Sequence, residues 1–97
     1  MVAGNFKVYN YTIANGAKQA LDLASIVSTE MLVKITPSVA GVRVLFTPSS
    51  STTNASASNA YALPAGETEF PVGRGLSRIS ILNPTGSSIT ISIAVLF

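Results

Sequence analysis

Apolar side chains recur at every second position along most of this chain. Phe6 and Val8 alternate with Lys7 and Tyr9, and the run continues through Tyr11 and Ile13. Gln19, Leu21 and Leu23 alternate with Lys18, Ala20 and Asp22. Met31, Val33 and Ile35 alternate with Leu32, Lys34 and Thr36, and Val42, Val44 and Phe46 with Arg43, Leu45 and Thr47. The most regular run is the last, where Ile89, Ile91, Ile93, Val95 and Phe97 face away from Ser88, Thr90, Ser92 and Ala94. A period of two sends successive side chains to opposite faces of an extended strand, and β-branched residues suit that pleated surface.

Turn signals separate these runs. Asn15-Gly16 predicts a type I′ hairpin turn between the first two strands. Pro37 to Gly41 predicts a second hairpin, with Lys34 and Arg43 pointing outward. Asn83-Pro84-Thr85-Gly86 fits a type I turn, and Gly73-Arg74-Gly75 fits a tight one. Pro64 and Pro71 lack the N–H that a ladder needs, so strands around them are short or at an edge. Residues 24–30 read as a connection with a single helical turn, because Ala20, Ala24, Val27 and Met31 also fit helical spacing. Pro48 to Asn59 carries only Ser, Thr, Asn and Ala after its proline, which predicts an exposed, flexible loop at 48–60. The expected fold class is all-β: a single-domain antiparallel β-sandwich or jelly-roll-like small barrel of about seven to eight short strands over residues 1–97.

Composition sharpens this picture in one respect. Only 10% of the 97 residues are charged, while 47% are hydrophobic and 22 are Ser or Thr. Ordinary soluble domains carry about 25% charge. Oligomer interfaces are depleted in charge, so the balance predicts a subunit whose surface is covered by partners. The six basic residues, Lys7, Lys18, Lys34, Arg43, Arg74 and Arg78, are scattered, so no nucleic-acid partner is expected. Met1 to Asn5 has neither a basic region nor an apolar stretch behind it, and no run approaches the ~20 apolar residues of a membrane span. A soluble protein made in a cytoplasm, with no signal peptide and no membrane partner, is the expectation.

The chain has no Cys and no His, which removes the Ser-His-Asp and Cys-His mechanisms and any thiolate metal site. Glu67 and Glu69 share one face of a strand, as paired carboxylates in a glycosidase would, but the expected role is to blunt an edge strand. Together with Asp22 they are too few for a calcium site, which takes six to eight oxygens. No enzyme activity, cofactor or metal is expected. A carbohydrate-binding module would require Tyr9, Tyr11 or Tyr61 to lie exposed and coplanar.

The segments Leu63-Pro64-Ala65-Gly66-Glu67, Ile79-Ser80-Ile81-Leu82-Asn83 and Ile89 to Leu96 give the last third of the chain a recognisable style. It resembles small β-sandwich proteins of tailed-phage particles, especially decoration or cement proteins of the head. The resemblance implies a virion protein, a homotrimer or similar cluster that sits on the major capsid protein and braces the shell. A tail, neck or fibre component is the alternative. The resemblance has no diagnostic motif, so no functional residue is carried over from it. The expected partner contacts are Val2 and Phe6 in the N-terminal arm, Ser50, Thr53 and Asn54 in the loop, Arg74 at its turn, and Phe97 at the end of the last strand.

Overall fold

The computed structural model describes residues 3–26 and 29–97. Eight strands form: β1 (Phe6–Ile13), β2 (Lys18–Asp22), β3 (Glu30–Pro37), β4 (Arg43–Thr47), β5 (Tyr61–Ala62), β6 (Thr68–Gly73), β7 (Arg78–Leu82) and β8 (Ile89–Leu96). One short 3-10 turn, Arg74–Leu76, joins β6 to β7. Two four-stranded antiparallel sheets result, ordered β1-β8-β3-β6 and β2-β7-β4-β5. We call them the first and second sheet. Strand 1 is therefore nested against 8, 2 against 7, and 4 against 5, while 3 lies between 8 and 6. That order, wound into two facing sheets, is the jelly-roll architecture. The all-β sandwich expected from the alternation is what forms.

The connections differ from the expected ones. β1 and β2 lie in different sheets, so Asn15-Gly16 is no hairpin turn. A type I′ turn needs positive φ at both central residues. Here Gly16 has φ 76°, and among the described residues no non-glycine has a positive φ. β3 and β4 also lie in different sheets, so the segment 37–42 is a crossing and not the expected hairpin. Only β4 and β5 are both consecutive in the chain and paired with each other. In the 24–30 connection, the Ile26 amide donates to the Leu23 carbonyl at 3.0 Å and closes a turn. Val27 and Ser28 of the expected turn lie outside the described residues, and Glu30, expected in the connection, already opens β3.

The core fills the space between the sheets. Ile89, Ile91, Ile93 and Val95 of β8 are at most 3% exposed, and they meet Ile79, Ile81 and Val44 from the facing sheet. The aliphatic stripe of the last strand is thus consumed by its own fold. β8 is also central, with β1 on one side and β3 on the other, so it presents no free edge. No partner surface is left on Ile89, Ile91, Ile93 or Val95, and of this stripe only Phe97, among the expected contacts, stays partly exposed.

One buried polar residue ties the crossings together. The Asn83 side chain is fully buried and its amide nitrogen donates to the carbonyls of Ile13 and Ser87, both at 2.8 Å. Its oxygen accepts from the Thr85 amide at 3.1 Å and the Thr85 hydroxyl at 2.7 Å. Its backbone carbonyl accepts from the Gly16 amide at 2.6 Å, and its backbone amide donates to Ala17 at 3.1 Å. The Asn15 side chain completes the link by accepting from the Gly86 amide at 2.9 Å. The β1–β2 and β7–β8 crossings are therefore one hydrogen-bonded unit. Gly86, at φ 95°, takes a conformation that side-chain-bearing residues rarely adopt.

Candidate interaction surface

The two outer faces of the sandwich are treated differently by the chain. The face of the second sheet is covered by the Ser/Thr-rich loop. Arg78 of β7 donates to the Thr53 carbonyl at 2.6 Å and to the Asn54 side chain at 2.8 Å. Ser80 of the same strand accepts from the Ala55 amide at 2.8 Å, and Ala55 is fully buried against the sheet. Arg43 of β4 donates to the Ala60 carbonyl at 3.0 Å, and Asn59 bridges within the loop to Asn54 and Ser56. The tract expected to lie wholly exposed instead buries Ala55 between itself and the second sheet. A small methyl group and the loop's backbone do what a large side chain would do elsewhere. Replacing Ser80 with Ala should leave the buried Ala55 N–H without a partner and cost about 1–3 kcal/mol. Hydrogen exchange at that amide would rise with the loss, and an unchanged rate would rule the anchor out.

Nothing among the described residues covers the outer face of the first sheet. There the register aligns Phe6 with Leu96, Leu96 with Leu32, and Leu32 with Pro71. The next row aligns Val8 with Ala94, Lys34 and Glu69. One end of this face is therefore an apolar strip running across all four strands. Phe6 is 71% exposed and Val8 50%. The groove lined by Ala3, Leu32, Pro71 and Leu96 continues it. The other end is polar, with Asn10, Thr12, Thr36, Ser92 and Thr90. Contiguous exposed apolar area of this kind marks contact surfaces on soluble proteins.

The side chains singled out from the sequence do not converge. Phe6 stands in the apolar strip. Phe97 is half-buried against the core, and its backbone exchanges hydrogen bonds of 2.9 Å with Asn5. Ser50, Thr53 and Asn54 sit with the loop on the opposite sheet, where Thr53 and Asn54 are engaged by Arg78. Arg74 is exposed in the 3-10 turn. Val2 lies outside the described residues. Leu32, Leu96 and Val8 were missed. Their signal was apolar character at positions of the outward parity.

Glu67 and Glu69 both face Lys34, at 3.8 and 3.5 Å, on the β6 edge. Exposed pairs of this type contribute about 0–1 kcal/mol. Asp22 accepts from the Ala24 amide at 2.8 Å, and among the described residues no three acidic side chains come together. Tyr9 and Tyr11 are half-buried against the core, whereas Tyr61 belongs to the other sheet and meets Phe70 edge-on at 6.1 Å. The three rings form no common platform. Burial, with the neighbouring Tyr9 as a lesser cause, pushes the Tyr11 phenol above its ordinary pKa. Among the described residues, no helix is long and apolar enough to cross a membrane. No known protein-family model matches this chain, and no curated protein matches it either.

Proposed function

We propose that this chain is a virion structural protein, a capsid decoration protein that acts by adhesion and not by catalysis. The observation that carries the reading is the uncovered apolar strip of Phe6, Leu96, Leu32 and Pro71 on one outer face. Its opposite face is already occupied by the chain's own loop. Such one-sided exposure suits a subunit laid flat on a larger surface. The jelly roll supports the reading more weakly, because it serves viral capsid domains among others and fold alone does not set function. The resemblance of the 63–97 region to head decoration proteins adds the partner, the major capsid protein, and the location, the virion after synthesis in the host cytoplasm. It also adds oligomeric attachment, in which several weak contacts multiply. A tail, neck or fibre role remains the second reading within the same class.

The test is co-sedimentation with tailed-phage heads stripped of their own decoration protein. Saturable binding is the expected result. Phe6→Ser combined with Leu96→Ser should weaken it at least tenfold, since a few buried aromatic and aliphatic anchors dominate such contacts. Binding to heads that is unaffected by the double substitution would overturn the surface assignment. Binding to tails alone would move the chain to the second reading.

A further inference from the structure

The first sheet has two edges, and only one of them is protected. The β6 edge carries Pro71, with Glu67 and Glu69 beside it. The second sheet ends in β5, of two residues, and β2, of five. β1 runs for eight residues in unbroken register with β8, without a proline or a bulge. An open edge of that length is a template for another strand, and proteins seldom leave one unmanaged.

The free groups on this edge can be assigned. Asn5 and Phe97 exchange both backbone hydrogen bonds. Antiparallel ladders alternate, so the backbone groups of Lys7, Tyr9, Tyr11 and Ile13 also point at β8. Those of Phe6, Val8, Asn10 and Thr12 point away from the sheet, and among the described residues they meet no partner strand.

We propose that β1 pairs antiparallel with β1 of a second copy about a two-fold axis at Tyr9. In this register Phe6 faces Thr12 of the other copy and Val8 faces its Asn10. Each of the four outward-pointing residues on both copies is then used, for about eight backbone hydrogen bonds. Lys7 is the sole charged residue of β1. It faces the Tyr11 ring of the other copy instead of a second Lys7. A shift of the axis to Lys7 would oppose two ammonium groups, so this one charge selects the register. Two chains of net charge +2 repel only weakly. The symmetry of the free positions about Tyr9 is why the occupant is a second copy and not an unrelated strand. The pair closes as a dimer with one continuous eight-stranded sheet, and the apolar strip of each copy lies on the same outer face. The inference is independent of the capsid, because the protein alone tests it.

Sedimentation equilibrium of the purified chain should fit a reversible dimer of the 10.0 kDa protomer. Asn10→Pro removes an outward N–H and no β1–β8 bond, so it should give a folded monomer. Val8→Lys should raise the dimer Kd at least tenfold while leaving the far-ultraviolet circular dichroism unchanged. It also serves as the deciding variant if Asn10→Pro fails to fold. A wild-type monomer at about 1 mM, a trimer, or a Kd unchanged in either folded variant would overturn the proposal. Failure to bind phage heads with the dimer intact would overturn the capsid reading alone.

Discussion

Replacing Asn83 with Ala is expected to destabilise the fold by about 2–4 kcal/mol, the largest effect of any polar substitution here. The side chain makes four hydrogen bonds in a fully buried position, two as donor and two as acceptor. A single intramolecular hydrogen bond contributes about 1 kcal/mol net, but an abandoned buried partner costs about 1–3 kcal/mol. The Ile13 carbonyl, at the end of the β1–β8 ladder, loses its donor from the crossing. Removing its donor loosens the crossing that ends β1, and the shared network carries the loss to Gly16 and Thr85. Asn83→Asp keeps the shape but replaces two donated protons with a carboxylate facing two carbonyls. It should be at least as damaging at neutral pH. Urea denaturation would show both as a lower midpoint. An Asp variant as stable as the wild type would mean that shape, not the hydrogen bonds, sets this position.

Ile93→Ala is expected to cost about 3–5 kcal/mol. Ile93 is fully buried in the central strand and aligns with Tyr9 on one side and Ile35 on the other. Truncation removes three carbons from a site whose neighbours are held in two ladders, so the cavity cannot collapse. Domains of this size are stable by about 5–15 kcal/mol in total, so the variant should melt well below the wild type or remain unfolded at 37 °C. Phe6→Ser is the natural control. Its ring is largely in water, and the melting temperature of the monomer should barely move. A loss at Phe6 equal to that at Ile93 would mean that the strip is covered within the chain.

Most of the strands were legible, because alternation over five to eight residues has one cheap explanation; β5, of two residues, and β6, interrupted by Pro71, gave no such run. Their pairing was not. Asn15-Gly16 and Pro37 to Gly41 are turn chemistry, but turn chemistry does not say whether the chain reverses within a sheet or steps across to the facing one. The choice belongs to the distant strands: β8 already occupies the side of β1 that a hairpin partner would need. The same blindness applied to the loop. Ala55 carries no hydrophobic signal, and its burial depends on Arg78 and Ser80, 24 and 25 positions away at the hydrogen bonds they make. The surface was half legible. Phe6 drew attention, but β1 carries apolar residues at both parities. Pattern alone could not decide that Tyr9, Tyr11 and Ile13 turn inward while Phe6 and Val8 turn out.

The nested strand order has a consequence for synthesis. β1 and β3 are held together only through β8, which leaves the ribosome last of the eight. At translation rates of about 5–20 residues per second, the earliest strand waits on the order of ten seconds for its partner. No smaller part of the first sheet that includes β1 can close in the meantime. The second sheet and the β3–β6 pair have all their strands before then, so it is the first sheet, and β1 in particular, that waits for Ile89–Leu96.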